Sequence, residues 1–186
     1  MRKFEFVLRK IVRQKALRIW IVFFALMIPG HAWRVFVELL LFSGLLPREI
    51  ERKEDEAVLQ LPIKRWELFL YEFLAGSLFI IASLLISASL SRSFFHKPAA
   101  TFLLRDMATT FYVYSLSSLC ARFFKSAFAL PLVILILDWV FCSTPWRYIS
   151  PVCVESIWGF ITGLVIFVAA LMLYGQVSFK EREERI

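Results

Sequence analysis

The sequence predicts an all-α fold of the membrane class, a polytopic integral membrane helical bundle with six apolar segments. Hydrophobic residues occupy 60% of the 186 positions, and the mean hydropathy is +0.70. Soluble domains carry only about 45–50% apolar residues, and a water-soluble chain of this length would lack the interior to bury the excess. The apolar residues also fall in runs separated by short charged stretches, which is typical of helices that cross a bilayer.

The first predicted element is an N-terminal interfacial amphipathic helix over residues 1–18. Apolar residues from Phe4 to Val12 recur at the i, i+3, i+4, i+7 and i+8 positions of one helical face. The rest of the surface is basic and comprises Arg2, Lys3, Arg9, Lys10, Arg13 and Lys15. We expect these residues to lie against anionic lipid headgroups. The alternative is a short disordered basic tail.

A short membrane hairpin is predicted over residues 19–46. Its 28 residues exceed the roughly 20 that one crossing needs and fall short of the roughly 40 that two need. Pro29 and Gly30 interrupt the run, because proline removes a helical hydrogen bond and glycine permits a sharp turn. We therefore expect two segments, 19–28 and 35–46, that are re-entrant or cross fully. The basic start also permits a cleaved secretory signal, but the apolar run continues past the cleavage point.

Residues 47–65 form the most polar stretch and predict a helix outside the membrane. The stretch holds five acidic and five basic residues, and Glu49 and Lys53 stand in the favourable i, i+4 order. Val58 and Leu59 contribute to a partial apolar stripe. Pro62 ends this helix or starts the next one.

Four spans are predicted in the rest of the chain. They cover residues 68–90, 107–121, 127–142 and 157–177, with an outer connector over 143–156 and a cytoplasmic tail over 178–186. The span 107–121 is rich in hydroxyl groups, and its Ser117 and Ser118 are candidates to line a path or to pack between helices. Gly159 and Gly163 have GxxxG spacing, which allows close helix contact and, in one interpretation, a dimer.

Basic residues indicate the topology. If the first hairpin returns to its starting side, 17 of the 22 Lys and Arg residues lie on one side of the membrane. If residues 19–46 cross once, the division is nearly even. The positive-inside rule favours the first arrangement. We therefore expect a multi-pass cell membrane protein, in a bacterium an inner-membrane protein, with both termini in the cytoplasm.

Two acidic residues inside apolar runs are candidates for function, because a charge at the bilayer centre costs about 2.5–3.5 kcal/mol on insertion scales. These are Glu38 and Asp138. Arg34 stands four residues before Glu38, which is the spacing of an ion pair within one helix. Structural pairing or interfacial solvation is the alternative to contact with a substrate for both acids.

Metal, disulfide and nucleic-acid roles receive less support from the sequence. His31 and His96 stand apart from any set of potential ligands, so no metal site is expected. Cys142 and Cys153 share the predicted outer side and either pair or, as we expect, remain isolated small apolar residues. The net charge of +7 is explained by topology signals at an anionic membrane face rather than by a nucleic-acid partner.

Three segments carry a resemblance to a known family. LPIKRWELFLYEFLAG at 61–76 follows the polar stretch, SLCARFFKSAFA at 118–129 makes a tight turn, and the connector at 143–156 contains Pro and aromatic residues. In this order they resemble the permease subunits of type-2, exporter-like ABC transporters. The connector looks like that family's outer re-entrant hairpin. Glu72 departs from the pattern, since family members usually carry a basic residue there.

The resemblance implies a transport subunit rather than an enzyme. The chain has no GxxxxGK[ST] motif to cradle nucleotide phosphates, so a separate ABC ATPase would bind ATP and magnesium, and this chain would bind no cofactor. The 47–65 stretch would be the coupling helix, with contacts from Arg52, Glu54, Asp55, Glu56, Val58, Leu59 and Leu61. A second permease copy or a related permease would complete the path, and export by alternating access would suit a hydrophobic or amphipathic substrate.

Two other functions remain open from the sequence. One is an accessory or assembly membrane protein without a transport path, in which the 47–65 stretch is an ordinary solvated helix or binds another partner. The other is a small intramembrane enzyme that modifies lipids, which would need acids or a His/Asp set clustered on one rim of the membrane.

Overall fold

The computed structural model describes residues 5, 20–26, 31–45, 47, 64–90, 99–153 and 157–183, and in these ranges all side chains except those of 31, 87–90, 99–105, 146 and 175–183. The regular elements are α1 (His31–Ser43), α2 (Arg65–Leu90), α3 (Ala99–Phe124), α4 (Ala129–Phe141), a short 3₁₀ turn (Pro145–Tyr148) and α5 (Ile157–Glu183). Residues 20–26 are also helical. The predicted all-α class is therefore confirmed for the described ranges.

Local chemistry explains where α2 begins and α3 ends. The backbone N–H of Lys64 donates to the Glu67 carboxylate at 3.0 Å, which is one half of a capping box. At the other boundary, Lys125 adopts a φ of 51°, the left-handed conformation that often stops a helix. The N–H of Ser126 then donates back to the Cys120 carbonyl at 3.3 Å. These contacts produce the tight turn between α3 and α4.

Two helices, rather than six segments, are both long and apolar enough to cross a bilayer within the described ranges, Arg65–Ile86 and Ile157–Tyr174. Helices α1 and α4 have 13 residues each, or about 20 Å at 1.5 Å per residue, against a hydrocarbon core of about 30 Å. Helix α3 has 26 residues, because it begins at Ala99, before the start of the predicted span 107–121. Its hydroxyl groups and charges make it too polar for the same criterion.

Helices α1 and α3 run parallel. Contacts between them join residues 72 positions apart at three successive turns, from Arg34 with Asp106 to Phe42 with Tyr114. A constant offset of this kind requires both helices to advance in the same direction. Each turn of α1 therefore faces the corresponding turn of α3.

Helix α5 also runs parallel to α3, and α2 runs against both. Tyr114 of α3 contacts Phe167 of α5, and Phe111, about one turn earlier on α3, contacts Phe160, about two turns earlier on α5. Phe69 of α2 contacts Tyr174, whereas the later Phe73 contacts the earlier Phe167, so α2 is antiparallel to α5. The ends of α1, α3 and α5 and the start of α2 thus lie toward one end of the bundle, named here the Lys125 end. The opposite end is named the connector end.

Aromatic rings fill the space between α2, α3 and α5. Phe167 is the centre of this cluster, with its centroid 4.5 Å from Phe73, 5.0 Å from Phe111 and 5.5 Å from Phe69. Tyr114 is fully buried, and its hydroxyl donates to the Phe69 carbonyl at 2.8 Å. The apolar interior is therefore specified by ring geometry and by one hydrogen bond between helices.

Away from the aromatic cluster, polar and apolar side chains are distributed in the reverse of the pattern of a soluble protein, with polar groups buried and large apolar groups exposed. Arg34, Glu38, Glu72 and Asp106 are all buried, as are the described threonine and serine residues of α3, Thr109, Thr110, Ser115, Ser117 and Ser118. Many large apolar side chains are exposed on α2, α4 and α5, among them Leu74, Leu78, Leu85, Val133, Ile136, Leu137, Val140, Ile157, Trp158, Val165, Val168 and Met172. Soluble monomers rarely expose so extended an apolar surface.

The helical residues 20–26 pack against the bundle and are tied to α1. Val22 and Leu26 are buried, at 6% and 1% exposure. The indole N–H of Trp33 donates to the Ala25 carbonyl at 2.8 Å. The turn at Pro29 and Gly30 lies outside the described residues, so the predicted hairpin stays a prediction.

Gly163 allows the closest approach between α3 and α5. A Cβ at this position would lie 2.8 Å from the Ala108 carbonyl oxygen, and a backbone atom has little freedom to move away. The glycine therefore serves a contact within the chain, although its spacing with Gly159 also suggested a dimer.

Replacing Gly163 with Leu should separate α3 from α5 and lower the free energy of unfolding by about 1–3 kcal/mol, the usual cost of overpacking. Denaturation of the purified protein in detergent, followed by tryptophan fluorescence, measures this change. Ala169→Leu is the matched control, because Ala169 lies exposed on the same helix. Equal stabilities of the two variants would contradict the close approach.

Candidate functional site

A row of polar side chains lies between α1 and α3 and is named here the polar seam: Arg34, Glu38, Asp106, Thr109 and Thr110. Arg34 and Asp106 make an ion pair, with 3.1 Å between Nη1 and Oδ2. One turn further along both helices, the Thr110 hydroxyl lies 3.4 Å from a Glu38 carboxylate oxygen. The seam arises because each helix repeats a polar residue four positions later, which keeps both on one face.

The charges of the seam are deeply buried. Glu38 is 1% exposed, Asp106 2% and Arg34 8%. The charges of Arg34 and Asp106 both act on the Glu38 carboxylate. With two acids and one base the seam has a net charge of −1 when all three groups are ionised. A net buried charge of this kind is costly in an apolar interior unless it is compensated.

The threonine hydroxyl groups mainly complete hydrogen bonds within α3. Thr109 and Thr110 donate to the Asp106 carbonyl at 2.9 and 2.6 Å. The longer contact from Thr110 to Glu38 is weaker by comparison. The Nε and Nη2 groups of Arg34 are buried without a hydrogen-bond acceptor among the described residues. The seam thus retains unused donor capacity next to a carboxylate that is only weakly hydrogen-bonded.

Arg34 forms its ion pair with Asp106 rather than with Glu38, the residue at helical spacing in α1, although its charge also acts on Glu38. Arg34 reaches across to Asp106, because α3 presents this carboxylate at the same level and the contact also joins the two helices. Asp106 was absent from the predicted site. Its position beside an apolar run and its four-residue spacing from Thr110 were signals for it, and the spacing becomes informative once the register of α1 on α3 is known.

Asp138 lies apart from the seam, near the end of α4. Its carboxyl group lies beside the Ser150 side chain of the connector, and its carbonyl accepts from the Cys142 N–H at 3.2 Å. Trp139, the next residue, is 41% exposed. Glu38 and Asp138 therefore belong to two different environments.

The two serines predicted to line a path or to pack between helices are both buried in α3. Ser118 donates to the Tyr114 carbonyl at 2.9 Å within its own helix, a bond that satisfies a hydroxyl group in an apolar interior. Ser117 is fully buried, and its hydroxyl lacks a hydrogen-bond partner in the described part of the chain. Glu72 is fully buried in α2.

The connector is closed by a disulfide. Cys142 and Cys153 are bonded, with 5.8 Å between their Cα atoms, a usual separation for such a pair. The expectation that they remain isolated is therefore wrong, while the third cysteine, Cys120, is free and buried. Pairing required the connector to fold back on α4, which sequence spacing alone did not establish.

Two groups of predicted site residues lie outside the described residues. The first is the coupling-helix set at positions 52, 54, 55, 56, 58, 59 and 61, and the second is the membrane-surface set at positions 2, 3, 9, 10, 13 and 15. The chain matches no protein-family model, and neither a curated protein nor a solved structure is significantly similar to it.

Proposed function

We propose that the chain is a multi-pass integral membrane protein that serves as the permease subunit of an ABC transporter of the type-2, exporter-like class. The observation that carries the membrane part is the reversed polarity, with acids, Arg34 and hydroxyl groups inside and large apolar side chains exposed. In a bilayer the apolar exterior faces lipid, and polar side chains find partners between helices. The two helices of crossing length support the same conclusion.

The bundle geometry supports a common location for the segments proposed to face the cytoplasm. The chain leaves α1 at Leu45 and enters α2 at Lys64, and both positions lie toward the Lys125 end. The α3–α4 turn with Arg122 and Lys125 lies there too, as does the end of α5 that leads into the charged tail. A cytoplasmic Lys125 end thus agrees with the positive-inside rule.

The short α1 fits a mechanical role in this proposal. The segment between Leu45 and Lys64 joins α1 directly to α2, so a movement of this segment pulls on both helices. On α1 the movement reaches Phe42, whose ring contacts Phe73 and Tyr114. Closure of two ATPase subunits on ATP would then shift α1 and α2 together and open a path between two permeases. The extensive Phe content suits a hydrophobic or amphipathic substrate.

Purification of the tagged chain in mild detergent from its native host tests the ATPase part. We expect a P-loop ATPase to co-purify in stoichiometric amount. The double variant Asp55→Arg with Leu59→Ala should reduce its recovery at least tenfold, because loss of an interface hot spot costs about 2 kcal/mol or more and about 1.4 kcal/mol corresponds to a factor of ten.

The matched control is Arg147→Ala with Tyr148→Ala, a double change of exposed residues in the connector. It should leave ATPase recovery unchanged, since it lies at the opposite end of the bundle. Equal loss in both variants would place the effect on folding rather than on docking. If the wild-type chain brings down another protein and no ATPase, an accessory or assembly function replaces the permease.

A further inference from the structure

The described part of the connector, residues 143–153, forms a folded cap rather than a loose loop. Its disulfide joins the residue that follows α4 to Cys153, at a sequence separation of 11. Inside the loop, the Ser150 hydroxyl oxygen accepts the backbone N–H groups of Val152 and Cys153, both at 3.2 Å. Ser150 and Val152 are buried, at 6% and 1% exposure. The two cysteines are therefore held together by hydrogen bonds and burial as well as by their own bond.

The cap also engages α4. Ser150 lies beside the Asp138 carboxyl group, and the Cys142 sulfur lies 3.4 Å from the Asp138 carbonyl. On its outer surface the cap presents Tyr148 and Ile149, about half exposed, with the Arg147 guanidinium 4.9 Å from the Tyr148 ring centroid. Aromatic and basic side chains of this kind suit the interface between membrane and water.

The position of the cap along the bundle follows from the helix directions. Cys153 stands four residues before α5 begins at Ile157. Because α5 runs parallel to α3, the start of α5 lies at the end of the bundle opposite Lys125. The disulfide and the Arg122 and Lys125 turn are therefore at opposite ends.

We infer that Cys142 and Cys153 are a site of oxidative modification outside the cytoplasm, where a disulfide-donating protein closes the connector into a cap. Structural disulfides form and persist in oxidising compartments and are rare in the cytosol. The inference rests on the membrane-spanning part of the proposed function and is independent of the ATPase part. It fixes the Lys125 end as cytoplasmic on grounds separate from the distribution of charge.

The two cysteines are oxidised by thiol–disulfide exchange with the donor. A thiolate of one cysteine attacks a sulfur of the donor's disulfide and forms a mixed disulfide, and the donor's other sulfur leaves as a thiolate. The second cysteine then attacks the mixed disulfide and releases the donor as a dithiol. The S–S bond of the cap is formed, the donor's bond is broken, and two electrons and two protons pass to the donor.

Thiol counting on the full chain in intact cells of the native host tests this inference. The cells are quenched in acid, and the protein is denatured and alkylated with a maleimide-linked polyethylene glycol that retards it on a gel. We expect one modified cysteine, Cys120, without reduction and three after reduction. Treating intact cells with a membrane-impermeant phosphine before the quench should also give three, because the cap faces outward.

The variant Cys120→Ser assigns the thiols, and its count should rise from none to two under the same treatments. Three modified cysteines in wild-type protein without any reductant would overturn the disulfide. A count that rises only after the membrane is permeabilised would overturn the outward location of the cap. Neither result depends on whether an ATPase co-purifies, so the two proposals fail separately.

Discussion

Replacing Arg34 with Met should lower the free energy of unfolding by about 3–5 kcal/mol, which is the usual cost of removing one partner of a buried ion pair. The substitution leaves Asp106 and Glu38 buried, at 2% and 1% exposure, without the positive charge that faces them. Methionine keeps most of the side-chain volume, so the loss comes mainly from charge. Thermal unfolding in detergent, read out by size-exclusion chromatography after heating, measures the change.

Two further variants separate charge from packing. Arg147→Met removes an exposed arginine of the connector and should change stability by no more than about 0.5 kcal/mol. The triple variant Arg34→Met, Glu38→Leu and Asp106→Leu removes every charge from the polar seam and should recover most of the loss, because well-packed hydrophobic residues of similar volume often replace buried ionic groups at little cost. Equal melting of Arg34→Met and Arg147→Met would contradict the buried ion pair.

Replacing Phe167 with Ala should have a comparable effect, about 3–5 kcal/mol, as expected for deletion of a large core ring. Its ring contacts aromatic rings on both α2 and α3, the nearest being Phe73 at 4.5 Å. The cavity left by the substitution would lie where three helices meet, and relaxation there would require moving whole helices. Equilibrium unfolding of the protein in mixed micelles, followed by near-UV circular dichroism, measures the loss.

Phe124→Ala is the control for Phe167→Ala, since Phe124 is 69% exposed at the end of α3. It should change stability by no more than about 0.5 kcal/mol. Phe167→Leu should fall between the two, because it keeps apolar contact while losing the ring edges and faces. A loss in Phe124→Ala as large as in Phe167→Ala would show that the cluster does not hold the helices together.

The polar seam and the aromatic cluster hold α3 in place through different kinds of contact. The seam fixes α1 on one face of α3 through charge, and the rings fix α2 and α5 on other faces through shape. The polar seam and the aromatic cluster are linked by the contact between Phe42 of α1 and Tyr114 of α3, whose ring centroids are 5.2 Å apart. A displacement of α1 would therefore also displace rings of the aromatic cluster. The proposed transport mechanism needs this coupling between α1 and the other helices.

Local patterns in the sequence determined the helical class and several helix boundaries. The long apolar runs predicted spans at 68–90 and 157–177, and the structure has α2 at Arg65–Leu90 and α5 at Ile157–Glu183. Residues near Lys125 predicted a tight turn, which the structure shows. These features depend on chemistry within a few neighbouring residues, such as apolar run length, capping and proline or glycine breaks.

The sequence did not reveal that Asp106 pairs with Arg34, that Gly163 packs on Ala108, or that Cys142 bonds to Cys153. The first two contacts depend on axial register and rotation between helices, and the third depends on how the connector folds. The 3.6-residue period places side chains on a face of one helix but does not say which turn of a neighbour they meet. The tertiary structure decided these pairs, because only packing of the whole bundle sets α1 level with α3 and folds the connector back onto α4.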